Sequence, residues 1–555
     1  MVSENFIKLF EKSFKENWEL PALTEYNTKQ TYTYQQVAEE VAKMHILFEN
    51  LNIKKNDKIA LVGRNTPTWA IAFVSVVTYG AVIVPILQDF HPNDIHHIVN
   101  HSDSVLFFLS DNVWDTIEEE KIHDLRGIFS LTDFRCLHQK DGETIQKTVK
   151  NLNNLFAEKY PNGFTREDVV YADKDNSELA AINYTSGTTG FSKGVMLTGE
   201  NFAGNIVFGF TTKLVERAQR ILTSLPLAHA YGCTLDFLIQ MCVGAHITFL
   251  NKTPSPKILL KAFEDVKPRV VFTVPLVIEK MYKKQILPML SKTSTQMAMK
   301  VPGLSDKIEK EICSRLINAF GGEVIEVVIG GAALSKETED FLKRIKFPYC
   351  VGYGMTECAP LISYSGCDTF VPYSVGKVLP DMEVKILSDD QFNKPGELLA
   401  RGPNVMIGYY KNPEATAAAL DEDGWLHTGD MAVVDENNNV FIKGRCKTML
   451  LGPSGQNIYP EEIESKLCNM PFVGECIVIE RDAKLVALVH PDFDAMDESK
   501  INKEDVESIM EENRKKVNTM VASYECITKI VLYPNEFEKT AKKSIKRYLY
   551  ENIGI

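Results

Sequence analysis

Apolar and polar positions follow two recurring rhythms along most of this chain. Short unbroken apolar runs are separated by longer stretches in which apolar residues return every third or fourth position. The runs Lys58 to Val62, Ala81 to Pro85, Val105 to Leu109, Leu179 to Tyr184, Ala245 to Leu250, Val270 to Val274 and Val324 to Ile329 read as buried strands. Stretches between them, such as Tyr34 to Asn50, read as helices. The alternation predicts an α/β architecture with substantially parallel sheets, whose strands are covered on both faces. The rhythm changes after Asp435. Glu436 to Asn439 reads as a turn and Val440 to Ile442 as a short strand. Short helices and strands follow, including Cys476 to Glu480 and Leu485 to His490. We therefore divide the chain into a large domain, 1–446, and a small one, 447–555. Ser291 to Lys307 is polar and weakly patterned and reads as a loop.

Asn65 to Gln88 carries no charged residue and is long enough to span a bilayer. Its internal punctuation argues otherwise. Pro67 and Trp69 suit a first helical turn and Tyr79-Gly80 a helix end, and Ala81 to Ile86 then reads as a short strand closed by Pro85. A buried helix followed by a buried strand fits better than a membrane span. Association with a membrane surface stays open.

Composition narrows the class. The 555 residues exceed one ordinary core, and 45% apolar with 24% charged residues is usual for soluble globular proteins. A net charge of -13 argues against nucleic acid as a main partner, though phosphate ligands need only local positive charge. Eleven cysteines at irregular spacings, with no CxxC pair, and an N-terminus that mixes Lys and Glu with aromatics suggest reduced thiols and a cytoplasmic setting.

One loop carries distinct chemistry. Tyr184-Thr185-Ser186-Gly187-Thr188-Thr189-Gly190-Phe191-Ser192-Lys193-Gly194 follows an apolar strand. Its glycines let backbone N–H groups approach an oxyanion, its hydroxyls donate to phosphate oxygens, and Lys193 adds a mobile cation. It is a polyphosphate cradle without the Gly-Lys-Ser/Thr step of the Walker loop. Further along stand Leu225-Pro226-Leu227-Ala228-His229-Ala230-Tyr231-Gly232, Gly330-Gly331-Ala332-Ala333-Leu334-Ser335, Val351-Gly352-Tyr353-Gly354-Met355-Thr356-Glu357, Gly424-Trp425-Leu426-His427-Thr428-Gly429-Asp430 and Lys443-Gly444-Arg445-Cys446-Lys447-Thr448. By residue type, Tyr353 can stack on a base, Thr356 can donate to a phosphate, and Glu357 suits Mg²⁺. Asp430 can accept from ribose hydroxyls. Small residues after a strand, as at Gly331, let a flat ring approach; a plain strand-to-helix turn capped by Ser335 fits the same residues.

In this order, over nearly the whole chain, these segments resemble the blocks of the adenylate-forming ligases, and Ser454-Gly455-Gln456-Asn457-Ile458-Tyr459-Pro460 looks most like bacterial-type fatty acyl-CoA synthetases. The resemblance implies stacked α/β sheets with a distorted β-barrel and a small, mobile α+β C-terminal domain. It implies ATP, Mg²⁺ and coenzyme A as cofactors, a fatty acid as substrate, and an acyl-adenylate intermediate. Thr185, Ser186, Gly187, Thr188, Thr189 and Gly190 would cradle phosphates with Lys193. Gly331, Ala332, Ala333, Tyr353, Gly354, Thr356, Asp430 and Arg445 would contact the nucleotide. Glu357 would hold the metal, Lys447 would be the hinge, and His229, Tyr231 and Gly352 would line the acyl pocket. The family places an adenylation lysine before an isoleucine near the C-terminus; here Ser544 stands there, in Thr540-Ala541-Lys542-Lys543-Ser544-Ile545-Lys546. Lys543, Lys542 or Lys546 would have to replace it, Lys543 being the residue we assign. Transfer of the acyl group to a carrier protein, or binding with little catalysis, are the alternatives. His91, His96, His97 and His101 include an i, i+4 pair that suits zinc, but no HExxH glutamate intervenes, and a surface helix explains them as well.

Overall fold

The computed structural model describes every residue except 1, 141, 186–192, 213, 252–255, 291, 293–296, 302, 452–456, 482–483, 500, 503–504, 541–543, 552 and 554–555. Its largest sheet has eight strands, in the order Gly408–Tyr409, Lys193–Thr198, Leu179–Thr185, Val82–Ile86, Lys58–Val62, Ser104–Leu109, Gly127–Ser130 and Cys136–Gln139. The central strands run parallel, and antiparallel strands close both edges. A second sheet joins Arg220–Thr223, His246–Phe249, Pro21–Glu25 and Thr31–Thr33. A third, wholly parallel, joins Val270–Thr273, Glu326–Ile329 and Tyr349–Val351. The expected α/β architecture is present.

Helix ends fall where local chemistry puts them. The Tyr34–Asn50 helix starts at a capping box formed by Thr33 and Gln36. In the uncharged stretch, Thr66 caps a Pro67–Tyr79 helix with Pro67 in its first turn, and Gly80 ends it in the left-handed region at φ 88°. The strand that follows runs through Pro85 to Ile86. Pro85 has no N–H, and the strand pairs with Leu179–Thr185 only at Ile83, before the proline. Among the described residues no helix is long and apolar enough to cross a membrane. Near the N-terminus, the Phe6–Glu16 helix buries Phe6, Phe10 and Phe14 on one stripe against the main core.

Two expectations need revision. The polar stretch 291–307 is not all loop, because the Leu304–Ala319 helix begins inside it; Ile312 and Leu316 recur at helical spacing and are buried. Where a distorted barrel was expected, Tyr353–Gly354, Leu361–Tyr364 and Lys377–Val378 form one antiparallel sheet and Glu383–Leu387, Gly396–Arg401, Leu426–Val434 and Val440–Arg445 another. They meet through backbone hydrogen bonds between residues 375–378 and 438–440, and no sheet closes among the described residues. Beyond residue 449, a sheet of Val473–Arg481, Lys484–Pro491 and Ile527–Leu532 packs with the Pro460–Cys468 and Val506–Asn518 helices around an apolar core of its own.

Candidate active site

Three parallel strands end side by side. Thr273, Ile329 and Val351 are in register, and the Gly330 and Gly352 N–H groups extend the ladder to Thr273 and Ile329 carbonyls at 3.1 and 3.0 Å. The turns that leave these strands are Val274-Pro275, Gly330 to Ala333, and Gly352 to Gly354, so segments far apart in sequence share one rim. The carboxyl ends of parallel strands form ligand crevices because the backbone diverges there. Gly331, Ala332 and Ala333 are exposed at this rim. Ser335 does not cap the following helix with its side chain; its hydroxyl pairs with Thr338 Oγ1 at 2.9 Å, while Glu279 accepts its N–H at 3.0 Å.

Tyr231 bridges two of these strands. Its hydroxyl donates to the carbonyls of Thr273 (3.2 Å) and Val328 (3.0 Å), and burial pushes its pKa well up, so it stays a donor. A Cβ at Gly330 would lie 3.1 Å from the Tyr231 ring. The phenol is therefore committed to the sheet ends, with only its ring left to shape a pocket. His229 precedes it, half-buried, with Nδ1 accepting the Tyr231 N–H at 3.4 Å. Asn65 clamps this segment, donating to the Leu225 carbonyl (2.7 Å) and accepting the Leu227 N–H (3.0 Å).

Tyr353, Asp430 and Arg445 converge. The Tyr353 hydroxyl donates to Asp430 Oδ2 at 2.6 Å, and Arg445 Nε lies 3.2 Å from Oδ1. Antiparallel pairing of Leu426–Val434 with Val440–Arg445 sets Asp430 opposite Arg445. Burial raises the Asp430 pKa, while Arg445 and the Tyr353 hydroxyl oppose that rise. Glu357 adds to the rise, which puts the two acidic groups in one field. Burial, then the Asp430 charge, pushes the Tyr353 hydroxyl well up. Gly354 is dictated by sterics, since a Cβ there would collide with the Pro360 carbonyl.

The next cluster includes a residue that motif reading missed. Thr185 pairs with Lys193 across the antiparallel strands that flank the phosphate loop. Tyr409, on a two-residue strand, pairs with Val195. Its hydroxyl donates to Glu357 Oε1 at 2.9 Å, and Lys193 Nζ lies 4.9 Å from its ring centre. Thr356 is buried beside Glu357. Nothing local marks Tyr409: Ile407-Gly408-Tyr409-Tyr410 reads as any short apolar strand, and its value comes from a partner over two hundred residues away.

Lys447 is exposed, in the link that follows the Cys446 N–H bond to the Gly429 carbonyl (2.9 Å). Thr448 Oγ1 donates to Glu461 at 2.5 Å, and Lys283 Nζ donates to the Cys468 carbonyl at 2.6 Å, tying residues on either side of this link. Ser544 is exposed; Thr540 N–H donates to its carbonyl (2.8 Å) and its own N–H donates to Thr540 Oγ1 (3.3 Å). Lys546 Nζ lies 3.6 Å from Glu538. Ser186, Gly187, Thr188, Thr189, Gly190, Lys542 and Lys543 lie outside the described residues. Of the histidines, His91 caps its own helix, His96 Nε2 accepts the Glu118 N–H (3.0 Å), and His101 Nδ1 pairs with the Tyr184 hydroxyl (2.7 Å). Among the described residues no cluster suits a metal by ligand grouping.

The donor set nonetheless suits one particular ligand. Oxygen donors at Glu357 and Thr356, with the Lys193 cation nearby, match a Mg²⁺-bound polyphosphate, which keeps waters and takes few protein ligands. By residue type, the Gly331 to Ala333 rim, Tyr353 and Asp430 could hold a base and its ribose. A family model described as AMP-binding enzyme matches residues 10–410, and the chain belongs to that family. The long-chain-fatty-acid–CoA ligase of Escherichia coli O157:H7 is 28% identical over 499 residues, 86% of this chain and 83% of that protein. The crystal structure of the anthranilate CoA ligase AuaEII in complex with anthranoyl-AMP superposes with TM-score 0.78 at 19% identity, covering 99% of this chain and 97% of the other. The O-succinylbenzoate coenzyme A synthetase MenE of Bacillus subtilis, in complex with ATP and magnesium ion, gives 0.73 at 18% identity, covering 98% and 99%. The fold is that of these ligases.

Proposed function

We propose that the protein activates a fatty acid with ATP and passes the acyl group to coenzyme A, releasing AMP and pyrophosphate. The observation that carries this reading is the Tyr353–Asp430–Arg445 cluster at a rim of parallel strand ends, with Glu357, Thr356 and Lys193 beside it. Membership of the AMP-binding family and likeness to a long-chain-fatty-acid–CoA ligase support it.

A carboxylate is a poor electrophile, because its carbonyl carries negative charge and has no leaving group. Attack of a carboxylate oxygen on the α-phosphate forms an acyl-adenylate and expels pyrophosphate. The thiol then attacks the acyl carbon and AMP leaves. An anion must approach a polyanion in the first step, so fixed positive charge and donors matter most. Lys193 and the Thr356 hydroxyl serve there, with Ser186, Thr188 and Thr189 in the phosphate cradle. Mg²⁺, held by Glu357, supplies charge neutralisation at the phosphates when bound. Asp430 and Arg445 hold the ribose, Tyr353 and Gly331 to Ala333 the base, and His229, Tyr231 and Gly352 the acyl group. In this reading residues 447–555 turn about Lys447 between the two half-reactions, and Lys543 takes the place of the lysine that Ser544 displaces.

Acid-dependent ATP–pyrophosphate exchange, measured over a range of fatty acids with and without coenzyme A, tests the reading. Exchange that requires the acid, and thioester that requires coenzyme A, are expected. ATP binding without acid-dependent exchange would overturn it and favour a binding protein, the reading that Ser544 supports. In the same assay, Lys542→Ala, Lys543→Ala and Lys546→Ala locate the adenylation lysine; unchanged exchange in all three removes that assignment.

A further inference from the structure

We infer that Tyr409 is a positioning residue that holds Glu357 ready for a divalent cation and keeps it apart from Lys193; this rests on the ATP-binding reading above. Three observations carry it. The Tyr409 hydroxyl donates to Glu357 Oε1 at 2.9 Å, and among the described residues no other side chain hydrogen-bonds that carboxylate. The Lys193 ammonium sits over the face of the same ring, 4.9 Å from its centre. The segment around Tyr409 also grips the glutamate's backbone, with the Met406 N–H donating to the Glu357 carbonyl at 2.8 Å.

The chemistry of this arrangement is specific. A phenol donor on one carboxylate oxygen fixes the plane of the carboxylate, leaving Oε2 for a hard cation. The ring is attractive to an ammonium through its π-face. Its face meets the lysine and its hydroxyl the glutamate, so each has a partner other than the opposite charge. The cation stays free for phosphate and the carboxylate for metal.

The ring is itself held firmly. Tyr409 is 8% exposed, its N–H donates to Thr416 Oγ1 at 2.9 Å, and the next residue donates its N–H to the Gly194 carbonyl at 2.7 Å. Tyr410 and Lys411 reach Asp103 at 2.7 and 2.6 Å, which secures the short strand to the central sheet.

The test is ATP affinity of the full chain by calorimetry, with Mg²⁺ and separately with EDTA. Tyr409→Phe keeps the ring and removes the donor. It is expected to bind ATP as the wild type does in EDTA, and to lose about tenfold of the affinity that Mg²⁺ adds. Tyr409→Leu also unseats Lys193 and is expected to bind more weakly in both conditions. In a Glu357→Gln background Tyr409→Phe should add nothing further, because the two groups act through one contact. Retention of the full Mg²⁺-dependent gain by Tyr409→Phe overturns the inference while leaving the ligase reading intact, as does an undiminished effect in the Glu357→Gln background. A wild-type chain that binds no ATP in either condition overturns both.

Discussion

Two arginine–carboxylate pairs in this molecule use the same chemistry for different ends. Asp430 meets Arg445 at the strand-end rim, and Glu464 meets Arg547 inside the C-terminal region. The Arg445 side chain is 66% exposed, whereas that of Arg547 is 21% exposed. Asp430 has a second partner in the Tyr353 hydroxyl, at the edge of a proposed ligand site. Glu464 instead accepts the Val478 N–H at 2.6 Å, so its carboxylate joins the Pro460–Cys468 helix, the Val473–Arg481 strand and the chain near Arg547. An arginine in water gives up its carboxylate readily, because solvent compensates. A pair shielded on both sides does not exchange, and losing one member strands the other. Both carboxylates are buried, so exposure of the arginine, more than the ion pair itself, separates the two pairs.

The sharpest break of this contrast is Arg547→Ala. Removing one partner of a buried pair costs about 3–5 kcal/mol. Hydrogen exchange in the Val473–Arg481 and Lys484–Pro491 strands should accelerate accordingly, with ATP affinity unchanged; unaltered protection would return this pair to the surface class. Next in size is Asp430→Ala. Loss of the proposed charged hydrogen-bonding partner for the ribose, worth about 1.5–3 kcal/mol, should weaken ATP binding roughly 10- to 100-fold. A variant that melts early but binds normally would make Asp430 the brace.

A pH series separates the carboxylates further. Burial lifts the Glu464 pKa from 4.5 to about 7, against the opposing pull of Arg547. Between those values the folded chain holds a proton that the unfolded chain has released, so stability falls as pH rises, and the loss is complete above about 7. The slope approaches about 1.4 kcal/mol per pH unit within that window. Glu464→Gln should flatten this part of the thermal stability profile; an unchanged slope would assign it to other groups. The smallest effect belongs to Arg445→Ala, whose exposed pair is worth under about 1 kcal/mol to stability. Its melting curve should overlay that of the wild type while its ATP affinity drops.

Much of this protein was legible locally. The Pro67–Tyr79 helix appears with its Thr66 cap, first-turn proline and Gly80 stop, because capping and backbone freedom involve only neighbours in sequence. The central strands lie within a residue or two of their apolar runs, since burial on both faces requires continuous apolar side chains. Barrel closure and the polar stretch before Ala319 were not readable in this way. Each depends on what packs against a segment of ambiguous pattern.

The same division runs through the site. Residue types in the motifs suggested a phosphate cradle, a metal-ligating carboxylate, an aromatic platform and a ribose acceptor, the roles proposed for them above, because those chemistries need particular side chains at short spacing. Only tertiary structure decided that Tyr231 would lock two strand ends, that Tyr353 would donate to Asp430, and that Tyr409 would meet both Lys193 and Glu357. Those contacts join positions tens to hundreds of residues apart. Sheet register and chain crossing set them, and no local pattern of apolar and polar residues encodes which distant side chain will arrive opposite.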